Sequence, residues 1–205
     1  THMNPVLNRR VLLKDTLVEE NGKKYRIELA IDSDSKNSCK SSYFYARSET
    51  ILNECLHKVF STTNAEESID QILQYIGKTF CCDHAYIFEF NESHLASNTY
   101  EWCNHGVTSK KEFLQNIPSS AIEWWTKRFA SQKVTVISDL EDISTKYPES
   151  YATLKSHGIH SLAAGPITSD GEMIGFIGVD NPDATMLPML ETFLHVIGYF
   201  ASTLL

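Results

Sequence analysis

Residues 161–182, SLAAGPITSDGEMIGFIGVDNP, decide the fold. Two runs rich in β-formers, 161–168 and 173–179, flank Ser169-Asp170-Gly171-Glu172, whose Asp-Gly pair suits a two-residue hairpin turn. Alternation in the second run puts Ile174, Phe176, Gly178 and Asp180 on one face. Gly175, Ile177 and Val179 fall on the other, compact enough to pack beneath helices. The pattern predicts two neighbouring antiparallel strands with large rings on one side.

Working outward toward the N-terminus, AYIFEF (85–90), SNTYEWC (97–103) and VTVI (134–137) read as three further short strands, which makes five. EFLQNIP through WWTKRFA and ESYATLKSH read as helical or irregular crossings between them. Ahead of the strands, Ile51, Leu52, Cys55, Leu56, Val59 and Phe60 follow helical spacing. Asn64 with Glu67 resembles a capping box opening a second helix that carries Ile69, Ile72, Leu73, Ile76 and Phe80. Beyond the hairpin, a helix from about Thr185 carries two apolar stripes. One is Leu187, Leu190, Leu194, Ile197, Ala201 and Leu204; the other is Met186, Met189, Phe193, Val196 and Phe200. Either one stripe packs on the sheet and the other meets a second copy of the chain, or both belong to a wide buried face.

The first fifty residues differ in character. Thr1, His2 and Met3 read as a tag remnant. VLLKDTLV and YRIELAI, within 11–31, form a predicted hairpin through Asn21-Gly22. Residues 32–42, DSDSKNSCKSS, lack apolar periodicity and read as a linker. A lone hairpin is marginal in water, and the last residues, Leu204-Leu205, leave a helix uncapped, so both ends suggest a piece of a longer chain.

Composition sets the broad class. The chain has 205 residues, 42% hydrophobic and 21% charged, which suits a packed core rather than disorder. Eighteen Lys and Arg stand against 26 Asp and Glu, a net charge of −8. With no concentrated basic face, this disfavours nucleic acid or an anionic membrane as partner. No apolar run reaches the length of a membrane span. Five cysteines at irregular spacing, without a CxxC pair, suit a reducing compartment such as the cytoplasm.

Taken together, the opening helix pair, CDHAYIFEFN, YEWCNHGV, FLQNIPSSAIEWW, LKSHGI before SLAAGPI, and FIGVDNP resemble a GAF domain over residues 48–205. They look most like GAF modules of bacterial multidomain sensors that carry diguanylate cyclase, cyclic-di-GMP phosphodiesterase or kinase outputs. Residues 11–31, with KKYRIELAID, are similar to the closing hairpin of a PAS-like domain, which makes 4–47 a hairpin and linker at the end of such a domain. The resemblance implies an α+β fold: a six-stranded antiparallel sheet with a helical bundle on one face and a ligand pocket on the other. Such modules bind cyclic nucleotides, tetrapyrroles, haem or small metabolites, or simply dimerise, and the fold alone does not choose.

The residues weigh these options unequally. A cyclic nucleotide needs a cation or helix N-terminus for its phosphate, yet no Arg or Lys follows Ser119 and Ser120 until Lys127. A covalently bound bilin calls for a pocket cysteine, usually followed by His, and no Cys-His pair occurs. His84, His94, His105, His157 and His160 show no metal-ligand spacing, so no metal is expected. Cys81, Cys82 and Cys103 do not match the spacing of the redox enzymes built on this fold, and no GxSxG or Walker A motif is present.

On the first strand His84, Tyr86, Phe88 and Phe90 share a face. The resemblance turns Tyr86 and Phe88 toward the ligand, joined by Trp102, Trp124, Trp125, Leu162, Phe176 and Asp180. This aromatic enclosure suits a neutral or cationic planar molecule better than a phosphate. Asp180-Asn181-Pro182 reads equally as pocket rim or as an exit turn. The expected function is a non-catalytic sensor module, homodimeric through its terminal helices, with its ligand or cofactor unidentified. The competing readings are a ligand-free dimerisation scaffold and a cysteine-based redox enzyme.

Overall fold

The computed structural model describes residues 2–4, 9–20, 23–32, 47, 49–57, 64–118, 122–129 and 133–205. The chain divides into two compact units, Thr1–Asn53 and Glu54–Leu205.

The first unit holds a three-stranded antiparallel sheet of β1 (His2–Asn4), β2 (Arg9–Glu20) and β3 (Lys23–Asp32), in that order. β2 and β3 pair from Val11↔Asp32 to Glu20↔Lys23, the register expected of a two-residue connection. Asn21-Gly22 and the linker at 33–42 lie outside the described residues. β1 occupies residues that the sequence suggested were a tag remnant.

In the second unit, α1 (Ala65–Thr79) starts where Asn64 Oδ1 accepts the Glu66 N–H at 3.0 Å. Ile69, Ile72, Leu73 and Ile76 follow helical spacing and are fully buried, each contributing about 1.5–3 kcal/mol of burial. The sheet comprises β4 (His84–Phe90), β5 (Leu95–Cys103), β6 (Ile117–Pro118), β7 (Thr135–Ile137), β8 (Leu162–Ser169) and β9 (Glu172–Asp180). The order is β6-β5-β4-β9-β8-β7, antiparallel throughout. β8 and β9 close through Asp170 (φ 51°) and Gly171 (φ 84°), a turn with positive φ at both central residues, matched to strand twist. The sixth strand, β6, comes from a segment read as a crossing, because two residues are too few to show a period.

One face of the sheet carries α1 against β4 and β5, and α4 (Leu187–Leu204) against β8 and β9. The two helices meet at Phe80 and Phe193, whose ring centroids lie 5.1 Å apart. At Gly198 the missing Cβ lets α4 approach the Pro166 carbonyl. Both apolar stripes of α4 are largely buried, including Met189, Phe193 and Phe200. The wide-core reading therefore holds, and the second stripe is not open to another copy. What α4 exposes is Pro188, Glu191, His195, Tyr199 and Thr203.

The opposite face is covered by α2 (Glu123–Phe129), a 3₁₀ turn at Leu140–Ile143 and α3 (Pro148–Ser156). Trp124, Trp125, Phe129, Leu140 and Ile143 join Tyr86, Phe88 and Phe176 in one apolar cluster. No residue of α3 is fully buried, so this helix rests over the sheet as an outer wall.

Candidate functional site

Between the sheet and this outer layer lies a cavity of about 580 Å³, within the range of small-molecule sites. β4 contributes Tyr86 and Phe88, β9 Phe176 and Asp180, and α2 Trp124 and Trp125. The segment around α3 adds Tyr147, Leu154 and His157. The rings are ordered: Phe88 and Phe176 stack at 4.8 Å and 6°, while Trp125 lies within 13° of the Phe176 plane at 6.4 Å. Trp124 stacks on Tyr147 at 5.2 Å. Its indole N–H is buried without a hydrogen-bond partner among the described residues.

One end of the cavity is polar. Asp180, 3% exposed, receives the Tyr86 hydroxyl hydrogen bond at 3.0 Å. Lys110 Nζ lies 3.7 Å and His84 Nδ1 3.6 Å from its other oxygen. Burial pushes the Asp180 carboxyl above the ordinary carboxylate range; Lys110, His84 and the Tyr86 hydroxyl pull the other way. His84 Nε2 lies 3.0 Å from the Thr108 carbonyl, which only accepts, so Nε2 carries the proton. Nδ1 then faces the carboxylate without a hydrogen bond.

Lys110 reaches this end because Glu101 anchors its loop. The Glu101 carboxylate accepts the backbone N–H groups of Lys110 at 3.0 Å and Lys111 at 3.2 Å, and the Ser109 hydroxyl. The Lys110 ammonium also donates to the His157 carbonyl at 3.0 Å, tying the α3 exit to the sheet.

Of the residues named from sequence, Tyr86, Phe88, Trp124, Trp125, Phe176 and Asp180 stand on the cavity wall. Leu162 lies in the same apolar cluster without lining the cavity. Trp102 is a correction: it faces α1, where a methyl on Gly77 would overlap its indole. The reason is pairing. Directly opposed residues of antiparallel strands share a face; Trp102 opposes Ala85, on the helix side, whereas Glu101 opposes Tyr86. Sequence reasoning missed Glu101, Lys110, Tyr147 and the α3 residues. An acidic residue inside YEWC, one position from Trp102, was the available signal.

Asn181, next to Asp180, does not line the cavity. At φ 51° its side chain donates to Asp83 Oδ2 (2.7 Å) and the Gly158 carbonyl (2.9 Å), and accepts the N–H groups of His160 (2.7 Å) and Ser161 (3.2 Å). The Asp-Asn-Pro motif thus divides: Asp180 is rim, Asn181 is clamp.

His84, Glu101 and Cys103 bring candidate metal-ligand atoms within 4.8 Å of one another. Each is otherwise engaged. His84 donates to Thr108, Glu101 is held by two backbone N–H groups, and burial with the Glu101 charge pushes the Cys103 thiol up to about 11. Burial raises the Cys82 thiol as well. Protonated thiols are poor ligands and poor nucleophiles. Among the described residues, no helix is long and apolar enough to cross a membrane.

Residues 64–205 match the GAF domain family. No curated protein matches the sequence. Among solved structures, the chromophore-binding domain of a Stigmatella aurantiaca bacteriophytochrome mutant in the Pr state is similar at a TM-score of 0.65 and 14% identity. The match covers 94% of this chain and 68% of that one. JSC1_58120g3, in its far-red-absorbing dark state with bound biliverdin IXa, matches at 0.60 and 15%, covering 75% of this chain and 96% of that one. The photoproduct state of GAF3 from Slr1393 of Synechocystis sp. PCC6803 matches at 0.55 and 13%, covering 68% and 94%. At these identities the likeness is one of fold.

Proposed function

The chain belongs to the GAF domain family, and from that premise we propose that it is a non-catalytic sensory module that holds a small molecule in the cavity beneath α2 and α3. The observation that carries the reading is a ring-walled space of about 580 Å³ with a buried polar end at Asp180 and Lys110. A ligand there touches Lys110, Asp180 and His157, which link the α3 exit to β9. Asn181 continues that link toward α4, whose approach is fixed by the Asp183 N–H donating to the Phe80 carbonyl at 2.9 Å. A ligand that distinguishes two arrangements of this joint shifts the terminal helix, and through it an output domain outside the sequence, in a bacterial multidomain sensor.

A bilin is the ligand of one structural neighbour. Covalent attachment here lacks support, since no cysteine lines the cavity among the described residues. The raised Cys82 and Cys103 thiols speak against a cysteine-based redox enzyme. A homodimer through α4 would use its exposed Tyr199 and His195 rather than the buried stripe.

Native mass spectrometry of freshly purified protein, with a thermal-shift screen of planar metabolites, tests the proposal. A retained mass, or a compound at 100 times its Kd stabilising by about 2.7 kcal/mol, supports it. An apo protein whose melting no compound shifts refutes it, and if that protein is dimeric the scaffold reading replaces it.

A further inference from the structure

Resting on the sensory reading above, the geometry points to a ligand class: we propose that the cavity takes a flat aromatic molecule carrying a hydrogen-bond acceptor for Lys110 Nζ and no pair of negative charges.

Flatness follows from the rings. Phe88 and Trp125 lie within 13° of the Phe176 ring plane; Trp124, 26° from Tyr147, is tilted 37° from Trp125, and Tyr86 stands edge-on to Phe88 at 88°, so the aligned part of the wall is the Phe88–Phe176–Trp125 set. Aligned rings beside an open space favour an offset-stacked planar guest over an aliphatic or branched one.

The acceptor follows from the donor inventory at the polar end. An ammonium has three N–H groups. The Lys110 ammonium gives one to the His157 carbonyl at 3.0 Å, and its Asp180 contact, at 3.7 Å, is an ion pair beyond hydrogen-bond length. Donor capacity therefore remains on Lys110, the one ammonium that lines the cavity among the described residues. The Glu101 carboxylate is already engaged by backbone N–H groups, and the Tyr86 hydroxyl is directed at Asp180. At this polar end Lys110 is thus the group with an unfilled donor toward a guest; elsewhere on the wall, the Trp124 indole N–H is also buried without a hydrogen-bond partner among the described residues.

The charge limit follows from the wall. Glu101, Asp180 and the exposed Glu149 line the cavity with Lys110, the sole ammonium there among the described residues. A single carbonyl or phenolate oxygen is accommodated at Lys110. A second anionic group would lie among carboxylates in a partly desolvated space, where repulsion is strengthened. A dicarboxylate tetrapyrrole is disfavoured on that ground.

The test uses two probes on the full chain: lumichrome, flat, uncharged and bearing carbonyl acceptors, and biliverdin, conjugated but bearing two carboxylates. Affinities are read by calorimetry and by quenching of tryptophan fluorescence. Wild-type protein is expected to bind lumichrome at least tenfold more tightly than biliverdin. Lys110→Met should weaken lumichrome about tenfold or more, with Lys110→Arg retaining most of the affinity. Biliverdin binding as tightly as lumichrome or tighter, or lumichrome affinity unchanged in Lys110→Met, overturns the ligand class while leaving the sensory reading standing. Binding of neither probe overturns the ligand class, and the metabolite screen above decides the sensory reading separately. The wild-type ranking needs no variant, so a Lys110 substitution that fails to fold does not remove the test.

Discussion

Replacing Asn181 with alanine removes four side-chain hydrogen bonds at once and leaves a β-carbon at φ 51°. Three of the bonds are to backbone groups that water can reach after the change, so the low end of the usual range applies, about 0.5 kcal/mol each. The fourth, to the Asp83 carboxylate, is charge-assisted and contributes about 1.5 kcal/mol. Left-handed backbone costs a residue with a β-carbon about 1 kcal/mol more, which asparagine partly escapes by local hydrogen bonding. The expected loss is about 4 kcal/mol, or a melting decrease of about 8–16 °C for a chain of this size. Asn181→Gly removes the same bonds but tolerates the backbone, and should be no less stable than the alanine variant. Urea unfolding followed by tryptophan fluorescence, with calorimetry, measures both. A loss below 1 kcal/mol for Asn181→Ala would mean that the clamp does not hold the α3 exit to the sheet. A glycine variant clearly weaker than alanine would mean that backbone strain is not part of the cost.

Three further perturbations address other parts of the structure. Gly77→Ala forces a methyl into the Trp102 indole and should cost about 1–3 kcal/mol, with most of that cost disappearing in a Trp102→Val background; equal costs in both backgrounds would show that Trp102 does not face α1. Because burial raises the Asp180 carboxyl, the folded chain holds that proton more tightly than the unfolded one. Its stabilising contribution is complete below the unfolded value of about 3.9 and is lost as pH rises through the folded value. Urea midpoints from pH 4 to 7 should therefore fall more for wild type than for Asp180→Asn, and parallel profiles would contradict the assignment. With its thiol pushed up to about 11, Cys103 should hold about 300-fold less thiolate at pH 7.5 than an ordinary thiol of pKa about 8.5 and, since the more basic thiolate is the better nucleophile, react with iodoacetamide about 20-fold more slowly. Peptide mass spectrometry reads the rate, and alkylation within tenfold of free cysteine would rule the shift out.

The chain's local chemistry determined its elements and the faces of two central strands. Alternation in AYIFEF and GFIGV puts Tyr86, Phe88 and Phe176 on one side, Asp170-Gly171 imposes the closing hairpin, and Asn64 starts α1. These are short-range effects, set by side-chain period and backbone preference within a few residues. Tertiary structure decided what depends on partners far along the chain. Trp102 sits one position from Glu101, and only the register opposing it to Ala85 sends it to the helices. β4 and β5 also shift register between Ile87 and Phe88, so no single period carries through β5. Lys110 lies in a loop with no pattern of its own and becomes part of the site only because Glu101 captures the backbone beside it. The two apolar stripes of α4 fit a partner or a core equally well as sequence. The sheet and α1 settle the matter by burying both, because a helix lying in the groove between them removes more apolar surface from water than one stripe alone can offer.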